Sequence, residues 1–323
     1  MDSLYEVDNV VDVKTPILLH NLEGNLGAGH ASFMVTRHLF NTLKSVRIAT
    51  FKTDELVDMK AYRPLATFDD WCLEEVNFVN ITLDLLYDDK GTSFLMLSGP
   101  EPSRCWGKFA KSIIELIKPY GVEKAYTLAG ISTYIPHTRK GNVDVTITNR
   151  KYDKERKQSN ERIRVLATMD VFLQYEMSKA NIDCFGLVVP VPFYLADSDF
   201  PQGAYMLLEK FTAMTNLVLP LGDLAVACEL ADGMMSNSQE IAENEGLIRG
   251  LEEQFDSGNS VTSNIGVSEK QNVSAENFPS GDELAESIEA FLKSQSETDN
   301  DIQKSVKSQN DSYGFLKRLF GKK

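Results

Sequence analysis

The chain has 323 residues, 42% of them hydrophobic and 25% charged, which is enough apolar content for a sizeable core. Its formal net charge of −14 excludes nucleic acid as a partner, because that recognition rests on a basic face that displaces counterions. A membrane span is also excluded, since no apolar run approaches the ~20 residues that one needs.

The start carries Asp2, Glu6, Asp8 and Asp12 with no basic residue before Lys14, the opposite of a secretory leader's basic start and apolar centre. Residues 16–20 are a short apolar run that predicts a buried strand. A Gly-rich loop follows, and residues 31–44 read as a helix with Met34, Val35, Leu39 and Leu43 on its apolar side. Residues 46–51 predict a second strand. Residues 78–87 and 92–97 flank Asp88-Asp89-Lys90-Gly91, a hairpin turn with glycine for the positive-φ position.

Further along, Trp106, Phe109, Ile113 and Ile117 recur at helical spacing until Pro119-Tyr120-Gly121 ends the element. Residues 125–131 predict a strand. Leu166, Met169, Leu173, Met177 and Ala180 form the stripe of a long helix, and residues 184–189 are a continuous apolar run suited to a strand covered on both faces. Ala204, Leu207, Leu208 and Phe211 mark another helix, and Ile241, Ile248, Leu251 and Phe255 a last one. Strands separated by helices of this length imply an α/β fold whose sheet is mostly parallel, with helices on both sides and an antiparallel portion at the hairpin.

The composition changes after residue 255. Residues 256–312 contain twelve serines and eleven acids against four lysines, a mixture that cannot offset its chain entropy by burial. A domain over 1–255, a disordered linker over 256–312 and a basic amphipathic segment over 313–323 are therefore expected. In the last segment Phe315, Leu316, Leu319 and Phe320 share one helical face beside Lys317, Arg318, Lys322 and Lys323, which suits docking into an apolar groove of a protein better than membrane anchoring.

Several loops carry candidate chemistry. Gly24, Gly27 and Gly29 lie between a strand and a helix, where backbone N–H groups can hold a phosphate; Asp54, after the second strand, stands where a ribose-binding acid would. The spacing is G-x-x-G-x-G, without a P-loop lysine, so a tight turn is the competing explanation. Pro136, His137, Thr138 and Arg139 follow a strand and can form an anion site or hold neighbouring backbone and a subunit interface. Glu101 can act as a base or bond to the N–H groups of the next helix. His38 reads as a packing residue. The histidines show no metal-ligand spacing, and no metal or cofactor is expected. Cys72, Cys105, Cys184 and Cys228 are widely spaced and are expected to be reduced, mostly buried thiols of a cytoplasmic protein.

Several of these segments, taken in order, resemble a known family. They are Gly27-Ala28-Gly29-His30-Ala31; Gly99-Pro100-Glu101-Pro102 with Trp106, Phe109 and Ile113; Tyr134-Ile135-Pro136-His137-Thr138-Arg139; Val191-Pro192-Phe193-Tyr194-Leu195-Ala196; Pro220-Leu221-Gly222-Asp223-Leu224; and Leu251-Glu252-Glu253 near Asp256. Together they are similar to the bacterial branch of the proteasome assembly chaperone 2 family, over residues 16–256. The resemblance implies a three-layer, nucleoside-phosphorylase-like fold and a homo-oligomer. It also implies non-catalytic assistance to protein assembly, with the proteasome or its precursors as partners. Bacterial members often carry an ATP-grasp-like label, but no ATP-grasp motif is visible here. Phe193 stands where the family usually has histidine, and Asn160-Glu161-Arg162 replaces a Pro-Ser/Thr-Gly turn, so both positions lose chemistry from one rim of the presumed cleft. Two functions are therefore carried forward. One is a protein-binding scaffold; the other is a small-molecule or nucleotide-binding enzyme using the Gly-rich, Glu101 and His137–Arg139 loops.

Overall fold

A computed structural model describes residues 3–24, 26–155, 163–238, 241, 245–257 and 267–268. In chain order, β1 (Tyr5–Val7), β2 (Ile17–Glu23), α1 (Ala31–Thr42), β3 (Lys44–Phe51) and the single-turn α2 (Thr53–Leu56) precede a hairpin, β4 (Leu65–Asp69) and β5 (Cys72–Asn77). Then come β6 (Thr82–Tyr87), β7 (Ser93–Pro100), α3 (Trp106–Ile117), β8 (Lys124–Thr133), β9 (Asp144–Ile147) and the two-residue β10 (Ile163–Arg164). The last elements are α4 (Met169–Lys179), β11 (Asp183–Pro192), α5 (Pro201–Thr215), α6 (Gly222–Ser236) and α7 (Glu245–Asp256).

Eight strands form one sheet in the order β1-β3-β6-β7-β2-β8-β11-β9. The pairs β7–β2, β2–β8 and β8–β11 are parallel. Those of β1–β3, β3–β6, β6–β7 and β11–β9 are antiparallel. Five of the eight strands (β3, β7, β2, β8 and β11) thus run in one direction, as the alternation of apolar runs and helices predicts.

The central strands are apolar on both faces, and the period-2 geometry sorts their side chains into two cores. Ile17, Leu19, Phe94, Met96, Leu187 and Val189 face α1 and α5. Leu18, Leu22, Leu95, Leu97 and Ala125 face α3 and α4. The result is a three-layer α/β arrangement. Truncating any of these fully buried leucines to alanine removes about 2–5 kcal/mol.

The local signals hold in detail. Phe109, Ala110, Ile113, Leu116 and Ile117 are the buried stripe of α3, and the chain turns away at Gly121 with φ +73°. In the β6–β7 turn Gly91 has φ +82°, and the Asp88 carboxylate accepts from the N–H groups of Lys90 and Thr92. His38 is buried and hydrogen-bonds through Nε2 to the Pro220 carbonyl at 2.6 Å.

Other expectations need correction. Leu166 is exposed and precedes α4; the helix starts only at Met169 because Thr168 caps it, its hydroxyl accepting from the Val171 N–H. The cysteines are free but not mostly buried: Cys72 and Cys105 are exposed, Cys228 is intermediate and Cys184 is buried. Asp54 is exposed on α2. Residues 160–162, and the tail with Phe315, Leu316, Leu319 and Phe320, lie outside the described residues.

Candidate functional site

The turn between β2 and α1 is built on close backbone approach. A Cβ on Gly24 would lie 2.3 Å from Glu101 Oε2, and Gly29 has φ +66° with a virtual Cβ 2.8 Å from the Phe200 Cβ. Gly27 forms a parallel bridge with Gly130, whose N–H donates to the Leu26 carbonyl at 2.9 Å. A Cβ on Gly130 would lie 2.2 Å from the Ala28 oxygen, so β8 and the loop touch backbone to backbone.

This turn forms the wall of a cavity of about 660 Å³ at the carboxyl end of β2 and beside the middle of β8, between the first turns of α1 and α4. Parallel α/β sheets place ligand sites in this position. Glu23, Gly24, Gly27, His30, Tyr62, Thr127 and Asp170 are among the lining residues. Asp170, in the first turn of α4, reaches back to the sheet. Its Oδ1 lies 2.6 Å from His20 Nδ1, and its Oδ2 accepts from the Leu22 N–H at 3.2 Å. His20 is fully buried, and its Nε2 has no partner, nor has the buried Thr127 hydroxyl. The two residues are paired in register on β2 and β8.

Glu101 accepts from the Met169 N–H, so one carboxylate caps α4 while its other oxygen packs on Gly24. Burial pushes the Glu101 carboxyl up from its ordinary value, opposed by the Met169 N–H and reinforced by the Asp170 charge. Glu23 is raised by burial. The Tyr62 phenol, whose O–H donates to the Glu23 carbonyl, is raised first by burial and then by Glu23 and Glu101. The cluster is acidic and partly desolvated.

The second candidate loop does different work. The Tyr194 hydroxyl lies 2.8 Å from both the His137 N–H and His137 Nδ1. Thr138 Oγ1 donates to Glu252. Arg139 makes a two-pronged contact with Asp256, 3.0 Å from Nε and 2.9 Å from NH2, and a third bond to Glu252 at 3.2 Å. Glu252 and Asp256 belong to α7, so the loop is a clasp that fixes that helix. Pro136 is buried, and Arg139 donates its N–H to the Pro136 carbonyl. Phe193 packs between Tyr134 and Tyr194, with centroids 5.4 Å and 5.3 Å away. Burial lowers the His137 pKa, against the raising effect of Asp232 and Glu252.

The structure therefore gathers Gly24, Gly27 and Glu101 at the cavity, with Gly29 packed beneath the loop. It places Pro136, His137, Thr138, Arg139, Phe193 and Tyr194 in a separate cluster. Sequence reading missed the His20–Asp170 pair and Tyr62. The one available signal was a histidine inside an apolar strand run.

The PAC2 family model matches residues 21–236. No curated protein matches the chain. The Mycobacterium tuberculosis protein of unknown function Rv2714 is similar at 30% identity and TM-score 0.74, over 80% of this chain and 90% of that one. A Corynebacterium glutamicum ATCC 13032 protein of unknown function is similar at 29% identity and TM-score 0.74, over 79% and 98%. The Mycobacterium tuberculosis proteasome-assembly chaperone homologue Rv2125 shares the fold at 19% identity and TM-score 0.64, over 70% and 98%.

Proposed function

The chain belongs to the PAC2 family, and on that footing we propose that it is a non-catalytic protein-binding scaffold that assists assembly of a protein complex. Its proposed clients are the proteasome or its precursors, after the role named for Rv2125, and it is proposed to act as a cytoplasmic homo-oligomer. Among the described residues no helix is long and apolar enough to cross a membrane.

The observation that carries this reading is the hairpin of β4 and β5, a two-stranded sheet outside the main one. Leu65, Phe68, Trp71, Leu73, Val76, Phe78 and Val79 are all exposed, Trp71 at 95%. Asp70 and Trp71, the two turn residues, both have positive φ, +43° and +64°. The left-handed region costs a non-glycine residue roughly 1 kcal/mol, and this turn offers its tryptophan no burial in return. Positive φ at both positions is the type I′ geometry of a two-residue hairpin turn, so the reading is supported by the apolar exposure concentrated on this hairpin, as on a surface that another molecule completes. Tryptophan is also, with tyrosine and arginine, among the residue types enriched at the energetic centres of interfaces. Asp69, Asp70, Glu74 and Glu75 are unopposed by any cation within residues 65–79, so the matching surface is apolar with a basic rim.

The test compares the full chain with its Trp71→Ser and Phe68→Ser variants for binding to purified proteasome precursors and for self-association by light scattering. Both variants are expected to keep the melting temperature and lose client binding. In the native chain Cys72, on β5, is expected to be shielded from alkylation when client is added. Equal binding by the variants, with Cys72 labelled at an unchanged rate, would overturn the assignment.

A second reading, a small-molecule-binding protein, has the cavity in its favour. The His137–Arg139 loop is not part of that reading, because His137 is engaged with Tyr194 and the donors of Thr138 and Arg139 with α7.

A further inference from the structure

The cavity has an unbalanced charge. Glu23, Asp170, Asp197 and Asp199 line it, and no described lining residue is lysine or arginine. His30 is in the lining but lies 2.8 Å from Asp199 at a well-exposed position. Glu101 adds its carboxylate directly behind Gly24. From this we propose that the cavity binds a small organic cation, an amine or guanidinium with an apolar body; the inference rests on the small-molecule reading above and names its ligand class.

Two independent features support a ligand here. Thr127 lines the cavity with a buried hydroxyl that has no partner, and His20 Nε2, its neighbour in register, is buried without one too. Native structures leave few such groups unsatisfied. The volume of about 660 Å³ lies in the range of organic ligand sites, and Leu22, Leu26, Phe33, Leu128 and Val171 in its wall suit an apolar body.

The alternatives fit less well. A phosphate at the start of α1 would gain from a partial charge of about +0.5 at the helix end, but four formal negative charges line the same space. The first turn of α4 is already capped by Thr168 and Glu101. A single metal ion finds no group of three ligating side chains among the described residues.

The experiment uses the full chain at neutral pH with four probes: phenethylamine, its neutral isostere 2-phenylethanol, the anion 3-phenylpropionate, and inorganic phosphate. Calorimetry and thermal melting read binding. Phenethylamine alone is expected to raise the melting temperature with concentration, and sodium chloride is expected to weaken it by screening. Glu23→Gln removes a lining charge without touching the His20–Asp170 pair, and it is expected to weaken phenethylamine binding about 10-fold. Stabilisation by the anion or phosphate in place of the amine would overturn the ligand class and leave the small-molecule reading standing. Equal binding of 2-phenylethanol, or no loss in Glu23→Gln, would likewise overturn it. No stabilisation by any probe would remove both.

Discussion

Asp170→Ala tests the link between the cavity and the fold most directly. The carboxylate satisfies two buried donors on β2: the His20 ring at 2.6 Å and the Leu22 N–H at 3.2 Å. Each donor left unsatisfied costs about 1–3 kcal/mol, so the substitution is expected to destabilise by roughly 4 kcal/mol. For a domain of this size 1 kcal/mol corresponds to about 2–4 °C, which places the drop in melting temperature near 8–16 °C. Asp170→Asn keeps an oxygen for Leu22, and its amide can donate to His20 in the other tautomer, so the expected loss is only about 1–2 kcal/mol. Urea unfolding followed by circular dichroism measures both, with an unchanged slope as the check that the unfolded state is the same. The reasoning fails if Asp170→Ala costs less than about 1 kcal/mol, or if the two variants are equally destabilised.

Three further outcomes are expected. Arg139→Ala opens the clasp on Asp256 and Glu252, so hydrogen exchange should rise in residues 245–257 and not in the sheet, and added salt should mimic the effect in the native chain. Gly130→Ala drives a methyl group into the Ala28 carbonyl and should cost about 1–3 kcal/mol by displacing the Gly-rich loop. Its φ is not in the left-handed region, so alanine also stiffens the unfolded chain, but that gain of about 0.4–1 kcal/mol is outweighed by a backbone clash this close. Burial raises the Glu23 pKa, so the folded state holds that proton more tightly than the unfolded state and ionisation costs stability at neutral pH. Glu23→Gln should therefore be more stable than the native chain at pH 7, and the difference should vanish as pH falls through the raised value toward the ordinary carboxyl range; a less stable variant at pH 7 refutes it.

The sheet was readable wherever burial wrote a pattern into the chain. The runs that became β2, β8 and β11 are apolar on both faces, and the stripes of α1, α3 and α5 point at a core. The hairpin of β4 and β5 was not readable, because Leu65, Phe68, Leu73 and Val76 face solvent and no core imposed an alternation on them. For the same reason α6 left little trace: Leu224 is its buried residue, while Val226, Leu230 and Met234 point outward. At the cavity, glycine spacing marked the loop because close backbone contact leaves no room for a side chain. The His20–Asp170 pair is separated by 150 residues, and no local rule connects positions that only the finished topology brings together. Gly130 escaped notice because a lone glycine inside a strand does not reveal which backbone approaches it.

The strand order also carries a consequence for synthesis. β2 is complete at Glu23, yet its neighbours in the sheet are β7, ending at Pro100, and β8, ending at Thr133. At about 5–20 residues per second, a ribosome exposes the run from Ile17 to Leu22 for several seconds before its second partner is made. The antiparallel pair of β6 and β7 can form early by local zipping, but the parallel pairs must wait for long loops to close. The cavity comes later still, since Asp170, Asp197 and Asp199 are translated after β8. A nascent chain arrested near residue 140 would hold six of the eight strands, with one face covered only by α1 and the other only by α3, and the apolar side chains awaiting α4 and α5 would stay open to solvent and proteases until those helices arrive.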